Sequence, residues 1–155
     1  ALIEAAVRAR PNECCGLLVG RAIEGGAALI SRIAPSRNVT LEAPASSFEI
    51  DPHLRFSLMR ALRGSSEAII GHYHSHPLAT AQPSARDLSR VYEPELLWLI
   101  IGLAGGCGRA EIRAWRYDPR TADFAPLPIA SDPARMPHTA ESGQQPGTEP
   151  PCCPN

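Results

Sequence analysis

Residues 96–104, LLWLIIGLA, constrain the fold more than any other stretch of this chain. The run is far shorter than the ~20 apolar residues a membrane helix needs, so it reads as a buried central strand over 96–103. Around it, helix-like and strand-like segments alternate. Residues 1–10 place Leu2, Ile3, Ala6 and Val7 on one helical face, and Pro11 ends that helix. Strands are predicted over 14–20 and 27–34, on either side of a Gly25-Gly26 turn. A loop over 35–47 leads to a short strand at 48–50. Asp51-Pro52 then starts a helix, with Asp as N-cap and Pro at the first helical position. That helix runs to about Arg63 with Leu54, Leu58, Met59 and Leu62 inward, and Gly64 ends it. Residues 67–76 form a strand. Ser84 opens a helix through about Tyr92, closed by Pro94, and 111–117 form a strand after the turn Gly105-Gly106-Cys107-Gly108. The pattern predicts an α/β layered domain in the α+β sense.

Composition bounds the rest. A chain of 155 residues suits one domain. A formal net charge of -1 leaves no basic footprint for nucleic acid, and no run is apolar enough to make a membrane partner. Eight of the 16 prolines fall in residues 126–155. The expected organisation is therefore a domain over 1–130 and a disordered Pro-rich tail over 131–155. Ala1 opens directly into a helical pattern, so a natural start upstream is expected, and no signal peptide is visible. The five cysteines, Cys14, Cys15, Cys107, Cys152 and Cys153, lack framework spacing, which points to a reducing, cytoplasmic setting. All 15 basic residues are arginine. That absence of lysine reflects either genomic base composition or an enzyme of lysine-linked tags that avoids being tagged.

Chemistry concentrates in Gly71-His72-Tyr73-His74-Ser75-His76-Pro77 and in Pro83-Ser84-Ala85-Arg86-Asp87. On a strand, His74 and His76 point to the same face, with Cα atoms about 6.6 Å apart. Two imidazoles at that spacing can share one metal. With Ser84 as N-cap, Asp87 sits in the first helical turn, where a carboxylate is favoured, and Val91, Leu88 and Tyr92 are expected to turn it toward the sheet. Three protein ligands with one open position make the catalytic rather than the structural zinc pattern. A proton acceptor is still needed. Glu13, where an apolar strand begins, is the candidate general base, and Ser84 can donate to the oxyanion that forms on attack at a carbonyl.

The string His74-Ser75-His76-Pro77, six residues, Ser84, two residues, Asp87 resembles the signature of the JAMM (MPN-plus) zinc metalloproteases. Glu13-Cys14-Cys15-Gly16-Leu17-Leu18-Val19-Gly20 looks like that family's glutamate-bearing strand. The resemblance covers about residues 1–118. It implies an MPN fold, a curved mixed sheet flanked by helices with a layout like that of cytidine deaminases. It implies one zinc on His74, His76 and Asp87, Glu13 as base and Ser84 as oxyanion helper. It implies hydrolysis of isopeptide or peptide bonds after the C-terminal glycine of ubiquitin-like or sulfur-carrier proteins, the partners of compact bacterial members. Oligomeric state is not readable.

Plainer roles stand beside these. Ser84 and Asp87 match a capping box that needs no catalysis. His72 shares the ligand face but reads better as a packed histidine, and His53 and His138 as surface residues. One of Cys14 and Cys15 should lie in the core, and Trp98 and Trp115 should anchor it. Tyr73 and Ser75 should point away from the ligands. A non-catalytic MPN scaffold that binds partner proteins is the alternative function, although every ligand position is filled. A zinc deaminase would need H-x-E and P-C-x-x-C, and neither occurs.

Overall fold

The computed structural model describes residues 1–23, 27–104 and 110–130. The Gly25-Gly26 and Gly105 to Gly108 turns, His138, Cys152, Cys153 and the tail expected over 131–155 lie outside the described residues. The elements are α1 (Leu2–Ala9), β1 (Cys15–Ala22), β2 (Ala28–Ser36), α2 (Pro52–Ala61), β3 (Ala68–His76), α3 (Ala85–Ser89), β4 (Leu97–Gly102), β5 (Glu111–Asp118) and β6 (Asp123–Leu127). They build one six-stranded sheet in the order β2-β1-β3-β4-β5-β6. Only β3 and β4 pair in parallel; the other neighbours are antiparallel. Parallel neighbours need a crossover, and the one joining β3 to β4 contains α3. This mixed sheet with helices is the α+β architecture predicted. Among the described residues, no helix is long and apolar enough to cross a membrane.

Every residue of β4 is buried, as its composition required. Alternation sorts the sheet into two layers. Leu18, Tyr73, Leu99 and Ile101 form one core with Ala6 of α1, and Leu2 packs against it. On the opposite face, Leu17 and Val19 meet Leu58 of α2, with Leu54 and Leu62 alongside. Next to them, Trp98, Ile100 and Trp115 enclose Ala81, with Phe48, Val91 and Phe124 at the margin.

The helix faces are narrower than expected. In α1 the i, i+4 pair Leu2 and Ala6 turns inward, while Ile3 and Val7 are 38% and 50% exposed. In α2 the inward stripe is Leu54, Leu58 and Leu62; Met59 is 52% exposed. A single helix lying on a flat sheet buries one row of side chains, and the adjacent rows face water. The start of α2 is as predicted: Asp51 caps it by accepting from the His53 N–H, with Pro52 in the first turn.

Three further details differ. The predicted strand at 48–50 is one isolated bridge, Asn38 to Ile50. α3 ends at Ser89 rather than near Tyr92, because Arg90 leaves the helix to bond Ser47 and the Phe48 carbonyl. Tyr92, beyond the helix, is 83% exposed, and Leu88, within it, is 37% exposed. No strand is predicted over 123–127, where the proline-rich composition begins at Pro126, yet β6 forms there. It pairs only with β5, and on such an edge strand a residue lacking N–H is tolerated.

Gly16 lies where β2 and Tyr73 both press on β1. A Cβ there would come 2.4 Å from the Ala34 carbonyl oxygen and 2.5 Å from the Tyr73 ring. Gly16→Ala is therefore expected to destabilise the protein by about 1–3 kcal/mol, seen as a fall of several degrees in thermal midpoint. An unchanged midpoint contradicts this packing.

Candidate metal centre

The site is assembled where β3 ends and α3 begins. Strand alternation brings the His74 and His76 Nε2 atoms to 3.0 Å of each other. Asp87 arrives through the first turn of α3. Its N–H donates to Ser84 Oγ at 3.1 Å, while its Oδ2 accepts from the Ser84 N–H at 2.7 Å and from the Ser84 hydroxyl at 2.6 Å. The capping box and the site are thus one structure. Asp87 Oδ1 lies 3.3 Å from His74 Nε2, and Oδ2 lies 3.3 Å from His76 Nε2.

These separations test whether the residues fit a metal. Zinc bonds of about 2.0–2.1 Å in tetrahedral geometry put neighbouring ligand atoms roughly 3.3–3.4 Å apart. The two Nε2 atoms are 3.0 Å apart, and each faces a different oxygen of Asp87 at 3.3 Å. One ligand atom from each residue lies within 4.8 Å of the others, so two imidazoles and one carboxylate are close enough to share a zinc ion after a small adjustment. Among the described residues, this is the group of His, Cys, Asp and Glu side chains whose atoms could hold an ion, and it contains no thiol.

The imidazoles are also in a suitable form. His76 Nδ1 lies 3.0 Å from the Thr80 carbonyl oxygen, which can only accept. Nδ1 therefore carries a proton, and whenever the ring is neutral its lone pair lies at Nε2. His74 is 0% exposed and stacks on Phe48, with ring centroids 4.4 Å apart. Burial pulls its pKa down against the pull of Asp87, which keeps it neutral. Burial acts the same way on His76, but hydrogen bonds to Asp87 and Thr80 and the charges of Asp87 and Glu13 outweigh it and raise the pKa. For Asp87, burial favours protonation, but both histidines and Ser84 hold the carboxyl well below the usual range. It stays ionised.

Glu13 lies two residues before β1. Cys15 pairs with His74, and Ser75 N–H donates to the Cys14 carbonyl, so the antiparallel ladder continued outward puts Glu13 beside His76 on the same face. Glu13 is 6% exposed. Burial pushes its pKa up from 4.5 to about 7; Asp87 adds to this, while His76, Arg86 and Arg90 oppose it. The backbone around it is held by the loop over 37–50: Glu13 N–H donates to the Pro44 carbonyl at 2.8 Å, and Asn38 Nδ2 donates to the Glu13 carbonyl at 3.2 Å.

The remaining candidates separate cleanly. His72 stands outside the donor group and packs against Trp98 with ring centroids 4.2 Å apart; burial brings its pKa down to about 3. Cys15 is buried opposite His74, its thiol 3.8 Å from the Arg37 carbonyl, and burial pushes its pKa up to about 12. Cys14 packs against the core on the other face, His53 is exposed, and Tyr73 and Ser75 face away from the ligands. Trp98 and Trp115 are both buried. Asn38, Phe48, Thr80 and Arg90 support the site, yet no spacing in the sequence marks them. They reach it through loops far apart in the chain, and only the Asn and Phe types hinted at a turn and a buried surface.

Comparison with known proteins agrees with this architecture. The chain is 32% identical over 120 residues to a desampylase from Haloferax volcanii, covering 77% of this chain and 78% of that protein. It is 28% identical over 116 residues to the CysO-cysteine peptidase of Mycobacterium tuberculosis, covering 75% of each. A solution structure of a protein from Desulfitobacterium hafniense superposes with a TM-score of 0.71 at 29% identity, over 83% of this chain and 84% of that one. Residues 1–118 match the family described as prokaryotic homologs of the JAB domain, and the chain belongs to that family.

Proposed function

We propose that the chain is a zinc-dependent peptidase that hydrolyses the bond following the C-terminal glycine of a ubiquitin-like or sulfur-carrier protein. The observation that carries this is the donor triangle of His74, His76 and Asp87, whose ligand atoms lie within 4.8 Å of one another, beside a buried Glu13 carboxyl. Zinc held by those three groups would polarise a carbonyl and make a water acidic enough to lose its proton near neutral pH. Glu13, buried on the same face beside His76, can take that proton on its carboxylate and pass it to the leaving amine. The Ser84 hydroxyl donates to Asp87 Oδ2, which the Ser84 backbone N–H also serves. Ser84 can therefore turn its hydroxyl to an oxyanion without stranding the carboxylate.

The relatives named desampylase and CysO-cysteine peptidase support a small carrier protein as the substrate.

Loaded with zinc and incubated with a ubiquitin-like protein extended past its Gly-Gly end, the protein should yield the trimmed product by intact mass. Glu13→Gln should keep about one zinc per chain and lose roughly 10²–10⁴-fold in turnover; intact turnover removes Glu13 from its role. His74→Ala should lose metal and activity together, and activity without metal in that variant contradicts the assignment.

The raised Glu13 pKa has a pH signature in the metal-free protein. The unfolded chain releases this proton around pH 4.5, the folded chain around 7. The stability tied to the protonated form is complete below pH 4.5 and is lost as pH rises to about 7. Glu13→Gln should match the parent at pH 4 and exceed it at pH 8, by on the order of 3 kcal/mol. Chemical denaturation at both pH values tests this; equal differences at the two would contradict it.

A further inference from the structure

The carbonyl that orients His76 belongs to the peptide group joining Thr80 to Ala81. The other edge of the same peptide is also engaged: the Ala81 N–H donates to Glu111 Oε1 at 2.9 Å. In a trans peptide the C=O and N–H point in opposite directions. A continuous line therefore runs from His76 Nδ1–H through the Thr80 carbonyl and the Ala81 N–H to the Glu111 carboxylate.

The sheet is shaped to admit this line. Glu111 on β5 pairs in register with Gly102 on β4. A Cβ on Gly102 would come 2.2 Å from the Ala81 nitrogen and 2.5 Å from the Thr80 carbonyl carbon. The missing side chain is the notch through which the peptide passes to reach Glu111. Ala81 is fully buried, and its own carbonyl accepts from the Trp115 indole N–H at 3.0 Å. The loop has further anchors, since Leu103 N–H donates to both the His76 and Ala79 carbonyls. It can keep its path without Glu111.

We propose that Glu111 is a positioning residue for His76, acting through the Thr80–Ala81 peptide. A carboxylate accepting from one side of an amide increases the negative charge on its oxygen, because bonds in a chain polarise one another. The Thr80 carbonyl then holds the His76 Nδ1 proton more firmly, and Nε2 is kept as the lone-pair nitrogen. Metal-binding histidines commonly bond a carboxylate or a carbonyl through the other ring nitrogen; here one peptide group joins the two. The inference rests on the metal-binding role proposed for His76.

The test uses the full chain with Glu111→Ala and Glu111→Gln, and Arg113→Ala as control, since Arg113 donates to the other carboxylate oxygen, Glu111 Oε2. Ring-nitrogen NMR of His76 in the metal-free protein, at one fixed pH, reports the tautomer. Competition with a chromophoric chelator reports zinc affinity. Glu111→Ala should show mixed tautomers and bind zinc about 10–100-fold more weakly. Glu111→Gln should weaken zinc severalfold, because its amide oxygen still accepts but carries no charge, and Arg113→Ala should stay within about twofold. A parent tautomer in Glu111→Ala overturns the proposal, whether or not zinc binding falls with it. If Glu111→Ala fails to fold, Glu111→Gln decides, and parent values for both readouts overturn the proposal. A parent protein that binds no zinc refutes the proposed function, while the tautomer comparison still decides the role of Glu111.

Discussion

The site depends on the capping box of α3. A carboxylate in a protein interior is costly unless charge or hydrogen bonds compensate it. Asp87 is compensated twice: its own helix start supplies the Ser84 N–H and hydroxyl, and β3 supplies two imidazoles. The same bonds that begin a helix of five residues aim its carboxylate at the sheet. That explains how so short a helix, with Leu88 exposed within it and Tyr92 exposed beyond it, can fix its carboxylate in place.

Around this contact the sheet supplies geometry and the loops supply environment. Alternation on β3 selects His74 and His76, and the antiparallel ladder to β1 brings Glu13 alongside His76. Neither strand explains why Glu13 is buried or why the imidazoles are oriented. Burial comes with the loop over 37–50, where Asn38 bonds the Glu13 and Ser47 carbonyls and Phe48 covers His74. Orientation comes from the loop after Pro77, clamped between β4 and β5 by Glu111, Trp115 and the absence of a side chain at Gly102. The end of an interior strand, two anchored loops and a self-capped helix together produce a preorganised donor set.

Glu13 shows how one environment serves opposite ends. Among the groups around the donor triangle it is the carboxyl held near neutrality, while Asp87, whose charge acts on it, remains ionised. The difference is in hydrogen bonding. Four bonds and close contacts converge on Asp87, whereas burial dominates at Glu13. Two carboxylates within one site are thereby driven to different protonation states, which is the separation acid–base chemistry needs.

Much of this was legible in the chain itself. Period-two spacing put His74 and His76 on one face, Ser84 and Asp87 carried their cap in the S-x-x-D pattern, and residues 96–104 could only be a buried strand. These are local rules, decided by backbone geometry within a few residues, so the sequence by itself determined the α+β class and singled out the His, His and Asp side chains that the fold brings together. The end of α3 at Ser89, the edge strand carrying Pro126, the exposed Met59, and the parts of Asn38, Phe48, Thr80, Arg90 and Glu111 were decided only by tertiary structure. Each depends on a partner in another strand or loop, or on which side of an element the rest of the protein covers. Local spacing carries no record of such contacts; they exist only once the chain has closed on itself.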